Sequence, residues 1–206
     1  MTKTTPSADL RTTFGDIDIY LFDQLLRGRF DGRHRVLDAG CGWGRNLPYL
    51  LAHGFEVYAV DEDPAAVGAT KKLAAILASA LPLDNIQVGA LHALPWPDGC
   101  MDAVICSAVL HFARDRSHFE RMLRDMWRVL APGGLFFARL ASSIGIEPLL
   151  SSTSGRVRLP DGSDRFVVDE QLLLDMTDAL DASLLDPIKT TNVQNQRCMT
   201  TWVLQK

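Results

Sequence analysis

Five short apolar runs, most of them separated by helical patterns, fill residues 33–142, and nothing else in the chain restricts its fold as strongly. The apolar runs fall at 36–39, 56–63, 86–90, from Met101 onward, and 135–142. Between them, helices are predicted over 45–54, closed by Gly54, over 64–80, opened by Pro64, and over 116–134, stopped by Ala-Pro-Gly-Gly. Residues 94–100 read as a turn cluster. A further helix is predicted over 16–30, where Ile17, Ile19, Tyr20, Leu21, Leu25 and Leu26 recur near helical spacing. Strands alternating with helices build a parallel sheet covered on both faces. The rhythm breaks after residue 142. "RVRLPDGSDRF" predicts a small hairpin turning at Pro160-Asp161-Gly162, and Asp169 reads as the N-cap of "EQLLLDMTDAL". Two extended runs over 183–193 and 197–206, with a short polar link, predict an antiparallel pair. The expected fold is α/β: a doubly wound, mostly parallel seven-stranded sheet with a C-terminal antiparallel hairpin and helices on both faces.

Charge and composition remove several function classes. The 206 residues are 47% apolar and 22% charged with net charge −4, a balance that does not call for nucleic acid or an anionic membrane as partner. The basic cluster "RGRFDGRHR" is short and interrupted by Asp31, so it reads as a solvated helix end. The first 18 residues lack the apolar centre of a secretory signal, and no stretch approaches the roughly 18 apolar residues of a membrane span, so a cytoplasmic protein is expected. Cys41, Cys100, Cys106 and Cys198 have no C-x-x-C spacing, which points to buried small hydrophobes and to no metal site.

"VLDAGCGWGRNLPYL" places Gly40, Gly42 and Gly44 between the first strand and the following helix. Glycine there permits positive φ and lets a ligand meet bare main chain, and open α/β sheets bind nucleotides at this turn. The pattern is G-x-G-x-G. Arg45 stands where a dinucleotide fingerprint needs its last glycine, and no Gly-Lys-Ser/Thr follows to make a P-loop. Asp61 ends the second apolar run about 20 residues later, the place from which an acid accepts both hydroxyls of a ribose.

"VLDAGCGWGRNLPYL", "VYAVDEDP", "ALPWPDGCMDAVICSAVLHF" and "RVLAPGGLFFARL" resemble, in order and spacing, the successive motifs of class I S-adenosylmethionine-dependent methyltransferases over about 33–142. The resemblance implies S-adenosylmethionine as cofactor and assigns roles. Asp38 anchors the loop and reaches the amino end of the methionine moiety. Gly40, Cys41 and Gly42 present backbone. Asp61 takes the ribose hydroxyls, with Glu62 beside the adenine. Leu91 packs on the adenine edge, and Ser107 lies near the methionine portion. Ala90 departs from the pattern, because many relatives carry an acid there, and this implies looser adenine discrimination.

Methyl transfer from a sulfonium is an in-line displacement that needs alignment more than a catalytic triad. A base is needed only when the acceptor must lose a proton. His111, after the fourth strand, is the candidate catalytic base, with a packing histidine beside Phe112 as the alternative. Arg45 reads as a partner of the cofactor carboxylate or of Asp38, or as solvated. The acceptor is expected to be a small molecule, selected by the segment with Phe14, Tyr20 and Phe22 or by the connection with Arg156, Arg158 and Arg165, for which the favoured alternative is a solvated surface. The sequence is read as one domain over 1–206: an N-terminal helical segment (1–32), a cofactor-binding core (33–142), a candidate substrate-side insertion (143–168), and a helix with a strand pair (169–206). Two other functions stay open: a non-catalytic S-adenosylmethionine-binding regulator, and an NAD-dependent oxidoreductase.

Overall fold

The computed structural model describes residues 6–206. The chain divides into two compact units, Met1–Ala90 and Leu91–Lys206. Residues 1–5, at the start of the segment expected to be helical, lie outside the described residues.

The first unit opens with α1 (Pro6–Phe14) and α2 (Ile19–Leu26), followed by β1 (Arg35–Ala39), α3 (Pro48–Ala52), β2 (Glu56–Asp61), α4 (Pro64–Leu77) and β3 (Ile86–Val88). Its strands run β3-β2-β1, all parallel, with Val36 opposite Val57 and Ala59 opposite Ile86. Val36, Leu37, Ala39, Val57, Ala59, Val60 and Ile86 are fully buried, as parallel strands covered on two faces require. Local chemistry sets the helix starts. The Asp18 carboxylate accepts the Tyr20 N–H at the head of α2, and Asp63 accepts the Ala65 N–H at the head of α4, where Pro64 supplies the first helical φ. α3 is shorter than the sequence suggests. Residues 42–46 are turns, and the helix begins at Pro48, whose missing N–H has no partner to lose in a first turn. α1 was not legible from apolar spacing. Phe14 at its end stacks on Tyr49 (5.1 Å, 14°) and packs edge-on to Phe22 (4.7 Å), a tertiary contact that sequence periodicity does not report.

The second unit holds β4 (Met101–Ser107), a 3-10 turn at Leu110–Phe112, α5 (Arg116–Val129), β5 (Leu130–Ser142), β6 (Gly155–Arg158), β7 (Asp164–Val167), α6 (Glu170–Ala179), β8 (Ser183–Leu184), β9 (Lys189–Val193) and β10 (Arg197–Gln205). β4 and β5 pair in parallel, whereas β10 runs antiparallel to β5, β8 and β9. The seven expected strands are all present, and the two-residue β8 adds one more. The fold class is the predicted one: α/β, mostly parallel, with an antiparallel C-terminal end.

Two boundaries differ. α5 stops at Val129 rather than 134, because Leu130 already pairs with Met101 in the ladder. The Pro132-Gly133-Gly134 bend then sits inside β5. A Cβ on Gly134 would lie 2.6 Å from Leu130 Cδ1 and 2.7 Å from the Ala131 carbonyl oxygen, so only glycine fits. The run predicted at 183–193 is broken at Pro187, between β8 and β9.

The hairpin at 155–167 is present as β6–β7, with Arg156 opposite Phe166. It is seated on the sheet. Val157, Leu159 and Val167 share an apolar cluster with Ala141, Ile146 and Cys198. Asp169 caps α6 by accepting the Leu172 N–H at 2.8 Å. In the core, Trp202 donates its indole N–H to Thr177 Oγ1 at 3.1 Å and meets Phe136 edge-on. Among the described residues, no helix is long and apolar enough to cross a membrane.

Candidate active site

In the first unit, β1 delivers the chain into the glycine turn. Gly40, Gly42 and Gly44 have φ of +81°, +52° and +76°, a region where L side chains are strained. The turn is bound to its neighbours through main chain. The Gly40 and Cys41 N–H groups both donate to the Val60 carbonyl, at 2.8 and 3.0 Å. The Gly42 N–H donates to Asp61 Oδ2 at 2.8 Å, and the Thr70 hydroxyl donates to the Gly42 carbonyl at 2.9 Å. The glycines differ in what surrounds them. A Cβ at Gly44 would come to 3.0 Å of Leu73 Cδ2 and 3.1 Å of Thr70 Oγ1, so this glycine lets α4 pack closely. A Cβ at Gly42 would meet nothing within 4 Å among the described residues, so its main chain stands open to approach.

Asp38 lies at 1% exposure on β1, and neither carboxylate oxygen has a hydrogen-bond partner among the described residues. Burial pushes its pKa up from 3.8 to about 7. The positive charge of Arg45 opposes that rise, and the Asp61 carboxylate adds to it. A buried acid without donors is costly to ionise, and it is complementary to a cationic group that enters beside it. Cys41 is also buried, and burial foremost, then the Asp38 charge, push its thiol up to about 12, so it contributes backbone rather than a thiolate. Asp61, at the tip of β2, accepts the Asp63 N–H on its other oxygen at 3.0 Å. Glu62 beside it is exposed. Asp38, Gly40, Cys41, Gly42, Asp61 and Glu62 therefore lie together around one turn.

Sequence reading missed how the far end of this turn is held. The Asp18 N–H donates to Asn46 Oδ1 at 3.0 Å, and the Asp18 carboxylate lies 3.6 Å from the Arg45 guanidinium. Arg45 thus pairs with Asp18. The helix expected over 16–30 runs through Asp18, which instead caps α2, and its partners Arg45 and Asn46, far along the chain, left no local signal.

In the second unit, Leu91 is buried in a turn. The segment after it is held by α5. Leu94 N–H donates to Asp125, and Arg128 donates to the carbonyls of Leu94 (3.0 Å) and Trp96 (2.8 Å) and to Asp98 and Asp125. Arg128 was not singled out from the sequence. Ser107 ends β4, buried, opposite Arg139. Ala108 next to it has φ +65°, and its N–H donates to the Arg139 carbonyl at 2.7 Å. Non-glycine residues in that region mark strain that the surroundings impose. His111 follows in the 3-10 turn, 6% exposed, with a buried Nδ1 that has no partner among the described residues. Its ring meets Phe112 edge-on at 4.6 Å. Burial first, then Arg165 and Arg139, lower its pKa to about 4, so the imidazole is neutral at pH 7. Arg165 lies 5.0 Å from the Phe112 ring centroid, Arg156 donates to the Ala113 carbonyl at 3.3 Å, and Arg158 pairs with Asp164 at 2.9 Å. Of the three hairpin arginines, two reach the turn that carries His111. Among the described residues, no group of three His, Cys, Asp or Glu side chains could hold a metal ion.

Residues 37–138 match a family model described as a methyltransferase domain. An uncharacterized methyltransferase, YodH, from Bacillus subtilis is 34% identical over 115 residues, which is 56% of this chain and 43% of the relative, so the chain spans less than half of that protein's length. A demethylmenaquinone methyltransferase from Thermus thermophilus is 30% identical over 162 residues, covering 67% of this chain and 70% of the relative. A solved structure of 1,6-didemethyltoxoflavin-N1-methyltransferase from Burkholderia thailandensis, with its acceptor and S-adenosylhomocysteine bound, superposes with a TM-score of 0.65 over 100% of this chain and 92% of that one at 18% identity, a likeness of fold. The glycine turn, the acid at the tip of β2, the antiparallel C-terminal strands and these relatives agree, and the chain belongs to the class I S-adenosylmethionine-dependent methyltransferase family.

Proposed function

We propose that the chain transfers a methyl group from S-adenosylmethionine to a small-molecule acceptor by in-line displacement. The observation that carries this reading is Asp38, a buried carboxylate without donors next to a glycine turn whose Gly42 backbone is open to approach. When bound, the cofactor supplies a methyl group activated by a positively charged sulfur. Asp38 receives the cationic amino end, and the Gly40, Cys41 and Gly42 main chain lines the approach. The Asp61 oxygens already hold the Gly42 and Asp63 amides, and their remaining lone pairs accept the ribose hydroxyls. Glu62 lies toward the adenine. Leu91 contributes an apolar contact to the adenine edge, and Ser107 lies toward the methionine portion. His111 serves the acceptor. It is unprotonated at neutral pH, the state a base requires.

The small-molecule class is supported by the Burkholderia enzyme, which binds 1,6-didemethyltoxoflavin. Calorimetry tests the cofactor. S-adenosylhomocysteine should bind and NAD should not, and the reverse result sinks the reading. A metabolite-extract screen that follows S-adenosylhomocysteine formation tests turnover. Cofactor binding without turnover on any extract would favour a non-catalytic partner.

A further inference from the structure

Between Gly44 and the start of α3 at Pro48 the chain has no helical ladder to stiffen it. The Gly44 N–H donates to the Cys41 carbonyl at 2.9 Å and the Leu47 N–H to the Gly44 carbonyl at 3.0 Å, both tight-turn bonds, and Leu47 gives α3 no side-chain cap. The near end of the glycine turn is fastened to β2 and α4 through Val60, Asp61 and Thr70. The far end is fastened to the N-terminal segment. The Asp18 N–H donates to Asn46 Oδ1, and the bond is buried, with Asn46 at 3% and Asp18 at 4% exposure. The Asp18 carboxylate faces the Arg45 guanidinium. The Gly15 main chain comes so close that a Cβ there would stand 2.7 Å from Pro48 Cγ and 3.5 Å from the Arg45 carbonyl oxygen, and Phe14 stacks on Tyr49. Residues 45, 46, 48 and 49 are thus each met by residue 14, 15 or 18. A turn built on Gly40, Gly42 and Gly44 gives up much conformational freedom when it is fixed. Anchors that fix it beforehand spare the ligand that cost, and losing one returns the cost to binding.

We propose that Asn46 is a positioning residue for S-adenosylmethionine: by holding the α1–α2 connector through the Asp18 amide, it fixes the far end of the glycine turn and keeps the Gly40, Cys41 and Gly42 main chain in its binding conformation. This rests on the methyltransferase reading above and makes cofactor affinity depend on the docking of the N-terminal helices. The coupling is reciprocal. A cofactor that tightens the turn tightens the connector by the same factor.

The test is calorimetry with S-adenosylhomocysteine on wild type, Asn46→Ala and Phe30→Leu, at a temperature where each is fully folded. Phe30 is buried in the same unit and packs edge-on to Phe55, so its truncation lowers stability without touching Asn46. Asn46→Ala should weaken binding about tenfold, because the buried Asp18 amide loses its acceptor. Phe30→Leu should stay within about twofold of wild type, since global stability does not alter the affinity of molecules that are already folded. Amide hydrogen exchange supplies the reciprocal readout and needs no variant. S-adenosylhomocysteine should slow exchange of the Asp18 amide, and of the Phe22 amide that donates to the Asp18 carbonyl, by about tenfold in wild type. Affinity in Asn46→Ala equal to wild type, an equal loss in Phe30→Leu, or Asp18 and Phe22 amides that ignore the ligand would each overturn the proposal. Wild-type protein that fails to bind S-adenosylhomocysteine at all would instead sink the cofactor reading on which it rests.

Discussion

Replacing Asp38 by Asn should stabilise the free protein and weaken its hold on the cofactor, and both effects should depend on pH. The carboxyl is 1% exposed, and burial raises its pKa from 3.8 to about 7. For an acid with a raised pKa, the neutral form is the one the fold tolerates. Its contribution to stability is intact below the unfolded-state value and is lost as pH rises toward the folded-state value. At about 1.4 kcal/mol per pH unit, the cost of ionisation is about 1.5–2 kcal/mol at pH 5 and about 4 kcal/mol at pH 8. Asn has nearly the same shape and carries no charge, so it escapes this cost. The stability gap between Asp38→Asn and wild type should therefore widen by about 2–2.5 kcal/mol between pH 5 and pH 8. Urea unfolding at the two pH values measures it. In the same samples, wild-type affinity for S-adenosylhomocysteine should rise with pH up to about 7, where Asp38 ionises to meet the cationic amino group, while the Asn variant binds weakly and evenly throughout. A stability gap that stays constant across this range would mean that Asp38 is ionised throughout, and the argument from its burial would fail.

The glycine turn gives a paired test. Gly42→Ala should cost only the roughly 1–2 kcal/mol of left-handed strain while sharply reducing cofactor binding, and Gly44→Ala should lose about 1–3 kcal/mol more because its Cβ collides with Leu73 and Thr70. Thermal unfolding and calorimetry on both variants check this. Arg128→Met should destabilise the second unit by about 2–4 kcal/mol, since it removes the Arg128 donor from the Leu94 and Trp96 carbonyls and from Asp125 Oδ1, leaving Asp125 only its bond from the Leu94 N–H; chemical denaturation is the measure. His111 contributes stability that is present above pH 6.5 and is lost as pH falls toward about 4, so acid unfolding should be about 3 kcal/mol less pH-dependent over that interval in His111→Leu.

What the sequence made legible was whatever a few adjacent residues decide. Asp169 ahead of an apolar run is an N-cap wherever it occurs, and Pro64 starts a helix for reasons of its own φ. The glycines at 40, 42 and 44 announced positive φ, but not that Gly44 serves packing against α4 while Gly42 keeps its surroundings open. That difference depends on Leu73 and Thr70, which the turn meets only after folding. The same limit applies to the boundary of α5. Its helical pattern runs on past Val129, but pairing of Leu130 with Met101 ends the helix first, because a buried ladder outweighs the few tenths of a kcal/mol of local propensity at each residue. The site divides along this line. Asp38, Asp61 and the glycines lie within one βαβ motif of fixed spacing. The charge around His111 comes from Arg139, 28 residues on, and Arg165, 54 residues on, positions chosen by the topology of β5 and β7. The cofactor motifs are therefore local in the chain, whereas the surroundings of His111 depend on long-range placement of side chains. This accounts for why the motifs identify the donor, whereas the residues next to His111 in the chain do not report the charges that act on it.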